Sequence, residues 1–174
     1  MAAGLGGAAL AKVPPDGKRV LVVERETQFR DRVRGEYLQP WGVPEVQKLG
    51  LFETLRDRCA NEQPFQDVIG MGPARDLRKT TPQQLPAWTF FHPAMQEIVL
   101  DAARVAGAEI WRGASVREVR LRSNPTALVE REGHARELSA RLIVAADGRS
   151  SMARNWGGSH RSAAVKNCSE RASC

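Results

Sequence analysis

AAGLGGAALAKVPPDGKRVLVVE, residues 2–24, opens with Gly4, Gly6 and Gly7, continues through small apolar residues, and closes the apolar run Val20–Val23 with Glu24. Physically this is a turn, a helix and a strand. A turn without side chains lets backbone approach a pyrophosphate, which the free N–H groups and positive end of the next helix stabilise. A carboxylate about 20 residues further on, at the carboxyl end of the next strand, can accept hydrogen bonds from a ribose. Two features depart from the full pattern. No strand feeds the turn, and the first glycine of G-x-G-x-x-G falls on Ala2. Pro14 and Pro15 lie where the helix should still be running, so the helix must be short. A flexible N-terminus is the plain alternative.

The rest of the composition bounds the answer. With 174 residues, 42% hydrophobic and 26% charged, the chain is sized for one ordinary domain. No apolar run reaches the length of a membrane span, and Leu5–Leu10 has no basic leader, which leaves the cytoplasm as the expected compartment. Cys59, Cys168 and Cys174 form no C-x-x-C pair, so neither a metal site nor a disulfide framework is expected. The net charge of +6 is concentrated near the end, where Arg149, Arg154, Arg161, Lys166 and Arg171 face Glu170 alone. No aromatics interleave with arginines as a nucleic-acid stacking platform would need, so no nucleic-acid partner is expected.

Outward from Glu24, the arginine-rich segment Arg30–Glu36 admits two readings. It is either a solvated charged face or a loop whose guanidinium groups pair with phosphate or stack on a ring. Gly35, Pro40 and Gly42 argue against a long helix there. Val46, Leu49, Leu51 and Leu55 around Gly50 predict a helix, a break and a second helical turn. Val68–Met71 and Trp88–Phe91 are expected as strands with a loop at Pro73–Pro86 between them. The three-and-four spacing of Met95, Ile98, Val99, Ala102, Ala103 and Ala106 predicts an amphipathic helix over Pro93–Ala106, stopped by Gly107. A short strand, Ala108–Trp111, completes a second strand-helix-strand pattern. Val116–Leu121, Ala127–Val129 and Ala135–Leu138 read as an antiparallel meander. Leu142–Ala146 reads as a strand buried on both faces of a parallel sheet.

That last run leads into RLIVAADGRSSMAR, the most specific stretch in the chain. An apolar strand ends in Asp147-Gly148, and Ser150-Ser151 can cap a following helix. Ligands of open α/β sheets lie at the carboxyl ends of strands, which would set Asp147 and Glu24 on one crevice. A purely structural Asp-Gly turn fits these residues equally well.

Together, G-L-G-G, V-L-V-V-E-R, R-x-R-G-E-Y-L-Q-P-W-G-V and A-A-D-G-R-S-S-x-x-R resemble the FAD-dependent class A flavoprotein monooxygenases, the para-hydroxybenzoate hydroxylase-like group. The resemblance covers Ala2 to about Arg154. It implies an α/β fold, with a Rossmann-like FAD-binding (GR2-type) parallel sheet and an inserted antiparallel β-meander, here incomplete. It also implies that Gly4, Gly6, Gly7, Glu24 and the adjoining Arg25 bind the ADP half of FAD, with Arg34 against the cofactor. Gln96 would approach the FAD phosphates. Asp147 and Gly148 would contact the pyrophosphate region, with Arg149 and Arg154 as weaker candidates. In the complete family NAD(P)H reduces the flavin, and one oxygen atom passes to a small-molecule substrate. No catalytic residue can be assigned.

The family continues past the D-G motif into a substrate sheet and a second glycine-aspartate motif, whereas NWGGSHRSAAVKNCSERASC (residues 155–174) loses apolar periodicity. Residues 1–154 are therefore expected to be a partial FAD-binding domain and 155–174 a divergent, disordered tail. A fragment of a related reductase or halogenase-like protein, and a non-catalytic remnant, are the alternatives.

Overall fold

Gly4 starts the first helix of the computed structural model, which describes residues 4–13, 17–31, 36–67, 72–148 and 151–157. Helix α1 (Leu5–Ala11) stops ahead of Pro14, as the two prolines require, and buries Ala8 and Ala11. Strand β1 (Leu21–Glu24) follows. After β2 (Tyr37–Leu38) a 3-10 turn at Pro40–Gly42 leads into α2 (Val43–Lys48), and α3 (Phe52–Arg58) comes next. The break between the two helices is at Gly50, whose φ of 62° is left-handed and open to glycine without strain.

Strands β3 (Ala60–Gln63), β4 (Phe65–Gln66) and β5 (Arg75–Asp76) precede the short α4 (Leu77–Thr80), β6 (Ala87–Phe90) and α5 (His92–Val105). Gly107, at φ 95°, ends the turn after α5. Then come β7 (Glu109–Arg112), β8 (Ala114–Arg120), β9 (Thr126–Arg131), β10 (His134–Ser139) and α6 (Ala153–Trp156).

The site rests on the parallel pair β1–β7, in register from Leu21↔Glu109 to Glu24↔Arg112. The pair is covered on both faces. Val22 and Ile110 join a helix-side core with Ala8 and Ala11 of α1 and Ile98, Val99 and Ala103 of α5. Val23 and Trp111 turn the other way and pack on the meander β8–β9–β10, around Ala114, Ala127 and Val129. The strand period of two thus sends alternate residues of the same four-residue strand to different layers. A third sheet, β2–β6–β3, is antiparallel and carries the fully buried Trp88.

The predicted meander, the opening turn-helix-strand (α1–β1), the second pattern as strand-helix-strand (β6–α5–β7) and the helix-break-helix at Gly50 are all present. Two expectations are corrected. The Pro73–Pro86 segment is not a plain loop, because Arg75–Asp76 pairs with Phe65–Gln66 and Asp76 caps α4 through Arg78 N–H at 3.1 Å. Leu142–Ala146 forms no strand, and Leu142 and Val144 are 76% and 47% exposed. A strand needs a ladder partner, and among the described residues the 142–146 segment joins no ladder, neither at the β1–β7 pair nor at the meander. The expected strand at Val68–Met71 and most of the expected tail lie outside the described residues.

Candidate FAD-binding site

The three glycines of the first turn have different surroundings. A Cβ on Gly7 would stand 2.7 Å from Ala146 Cβ, and one on Gly4 would stand 3.4 Å from Ala146 O. Small residues there let α1 lie directly against the residue that precedes Asp147. Gly6 is exposed, with nothing within 4 Å of a built Cβ, so its lack of a side chain keeps space open rather than permitting a protein contact. No side chain caps α1 at Gly4, and the first intrahelical bond is Ala8 N–H to Gly4 O at 3.1 Å. The N–H groups of Leu5, Gly6 and Gly7 therefore have no acceptor inside the helix.

Glu24 ends β1 and is 1% exposed. One of its carboxylate oxygens accepts the Glu26 N–H at 2.8 Å, which bends the chain out of the strand and fixes the acid at the strand's carboxyl end. Arg25 points outward, 64% exposed, and pairs with Glu26 at 3.2 Å, a surface contact of small energetic weight. Gln96 lies half-buried in the first turns of α5. Arg34 and Arg149 lie outside the described residues.

At the far motif, Gly148 takes φ 79°, which explains glycine there. The Asp147 carboxylate accepts from Ser151 Oγ at 2.5 Å and from Ala153 N–H at 3.1 Å, and Ser151 Oγ accepts Arg154 N–H at 3.2 Å. At the start of α6 Ser151 thus caps as expected, with the Asp147 carboxylate taking the Ala153 N–H beside it; Ser150 lies outside the described residues. Partial burial of Asp147 works to raise its pKa, but the hydrogen bonds from Ser151 and backbone N–H groups outweigh it and hold the carboxyl below its ordinary value. Asp147, Gly148 and Ser151 form the polar side of a cavity walled by Val119, Leu121 and Ile143. The Asp-Gly turn is therefore structural and also cavity-lining.

One residue absent from the sequence-based candidates stands beside Glu24. Arg112 ends β7 in register with it and is tied to the turn after β1. Its signal in the sequence was its place directly after the expected strand Ala108–Trp111, at the carboxyl end where ligands of such sheets gather.

Residues 2–168 match the model of a family described as "FAD binding domain". This chain belongs to the FAD-binding domain family. Squalene monooxygenase SE1 of Panax ginseng is 35% identical over 133 residues, which is 75% of this FAD-binding domain chain and 23% of that protein. The squalene monooxygenase of Mus musculus is 45% identical over 51 residues, 29% of this chain and 9% of that one. Among solved structures, p-nitrophenol 4-monooxygenase PnpA from Pseudomonas putida DLL-E4 superposes with a TM-score of 0.75 at 20% identity, covering 90% of this chain and 42% of that one. A ternary complex of aklavinone-11 hydroxylase with FAD and aklavinone gives 0.71 at 23% identity, covering 90% and 34%. The FAD-binding domain thus spans about a quarter of the curated relative it matches over most of its length.

The residues present fit the ADP half of FAD. An uncapped helix start whose glycines leave open space beside Gly6, and a buried carboxylate at a parallel strand's end, are the donors and acceptors that a pyrophosphate and a ribose need. No helix among the described residues is long and apolar enough to cross a membrane, and no group of His, Cys, Asp and Glu there could hold a metal ion.

Proposed function

We propose that this chain is the FAD-binding portion of an NAD(P)H-dependent flavoprotein monooxygenase acting on an aromatic or polyketide-like small molecule in the cytoplasm. The observation that carries this reading is the packing of Gly4 and Gly7 on Ala146, which sets the glycine turn beside Asp147 while Glu24 closes the strand on which α1 lies. Bound FAD would supply the oxygen-transfer chemistry. The chain's own residues bind and orient. Gly6 leaves room for a phosphate at the first-turn N–H groups, Glu24 accepts from the adenosine ribose, and Asp147 shapes the turn facing the pyrophosphate. Gln96 and Arg34 are further contacts in this reading.

The curated relatives favour a second reading of the substrate. Both named here are squalene monooxygenases, so an apolar polyene is the alternative to a phenol or polyketide.

The test is a titration of the chain with FAD, following quenching of flavin fluorescence, for the parent and for Glu24→Ala. Loss of hydrogen bonds to a charged acceptor costs about 1.5–3 kcal/mol, so binding should weaken at least roughly tenfold. Equal titration curves would remove Glu24 from the site.

A further inference from the structure

We infer that Arg112 is a positioning residue for nucleotide recognition: it holds the turn after β1 so that the Glu24 carboxylate meets the ribose. The inference rests on the FAD-binding reading above. Glu24 and Arg112 are register partners at the carboxyl ends of β1 and β7. Two residues earlier on each strand, Val22 and Ile110 point into the helix-side core, so by the strand period Glu24 and Arg112 share that face.

From there the guanidinium reaches three separate groups. One terminal nitrogen donates to Thr27 O at 2.7 Å, and the other donates to Glu97 Oε2 on α5 at 2.7 Å. The guanidinium carbon lies 4.5 Å from the centroid of the Phe29 ring. The turn that begins at Glu24 is therefore strapped to α5 through one side chain that is only 21% exposed. Gly113 adds to this seat, because a built Cβ there would come within 3.2 Å of Thr27 Cγ2. On the strand side, Glu26 N–H bonds the Glu24 carboxylate at 2.8 Å, so the direction of that carboxylate follows the path of the turn. A planar fork that donates to two acceptors while stacking on a ring is a task for arginine that an ammonium cannot copy.

The experiment uses the full chain and two probes, ADP and 2′-deoxy-ADP, titrated by calorimetry into the parent, Arg112→Lys, Arg112→Met, Phe29→Leu, Glu24→Gln and the Arg112→Met/Glu24→Gln pair. The parent should prefer ADP. Arg112→Met should weaken ADP about tenfold and leave 2′-deoxy-ADP nearly unchanged, so the preference collapses, and its effect should not add to that of Glu24→Gln. Arg112→Lys should recover little of the preference, and Phe29→Leu should lose part of it. A parent preference that survives unchanged in these variants, or an equal loss for both nucleotides, overturns the positioning role while leaving the FAD reading intact. Should Arg112→Met fail to fold, Arg112→Lys and Phe29→Leu decide by the same criterion. A parent that binds neither nucleotide overturns the FAD reading and this inference together.

Discussion

Gly6 and Gly7 are adjacent in sequence and opposite in consequence. A methyl group at position 7 would meet Ala146 Cβ at 2.7 Å, so Gly7→Ala must push α1 away from residue 146 and should destabilise the fold by about 1–3 kcal/mol. A methyl at position 6 meets nothing within 4 Å, and alanine is the better helix former by about 0.8–1 kcal/mol. Gly6→Ala should therefore raise the melting temperature while weakening FAD binding, because the open space is where the phosphates approach. A Gly6→Ala variant that gained stability and kept full FAD affinity would place the phosphates elsewhere. Asp147 gives a pH test. Its folded carboxyl titrates below the ordinary carboxylate value, so its stabilising effect is full at neutral pH and is lost as pH falls through the folded value, below about pH 4. Amide exchange at Ala153 and Arg154 should accelerate over that acid range, and Asp147→Asn should abolish the pH dependence while leaving exchange fast throughout. Unchanged acid dependence in Asp147→Asn would show that another group controls the start of α6.

At the scale of elements, the α1–α5 contact sets the site's depth. Ala8 at 1% and Ala103 at 0% exposure are the small residues that let the two helices approach, and α1 carries the glycine turn into place. Ala103→Leu should cost about 1–3 kcal/mol by overpacking, and should also reduce FAD affinity because α1 is displaced. Val105 on the same helix is 89% exposed, so Val105→Ala should fall within about ±0.5 kcal/mol and leave binding unchanged. Chemical denaturation with parallel FAD titration separates these outcomes. The helix-spaced residues of α5 were readable because a buried stripe repeats at three and four. β5 and α4 were not, since Arg75–Thr80 has no apolar period and exists because β4 lies alongside and Asp76 caps the turn.

For the whole molecule, the cavity beside Asp147 is lined among the described residues by Val119 and Leu121, the 143–148 segment and the start of α6, and the chain spans about a quarter of the curated relative it matches. Enclosure is what keeps reduced flavin chemistry directed at a substrate rather than at water. The chain, incubated with FAD, NADPH or NADH and a panel of phenols, polyketides and squalene, should give hydrogen peroxide equal to the reductant consumed, or no oxidation above free FAD, and no oxygenated product. Substrate-dependent product accounting for most of the reductant would show that this chain is self-sufficient. The sequence by itself determined the glycine turn, the short helix before Pro14, the acid at the end of β1, the long helix and the meander. Each is written in local spacing, turn chemistry or period, which neighbours in the chain enforce. Only the tertiary structure decided that Leu142–Ala146 is not a strand, that Asp147 caps α6, that Gly7 rather than Gly6 is the packing glycine, and that Arg112 stands beside Glu24. Those depend on which segment lies opposite, and residues 85 positions apart, such as Thr27 and Arg112, meet only when β1 and β7 pair.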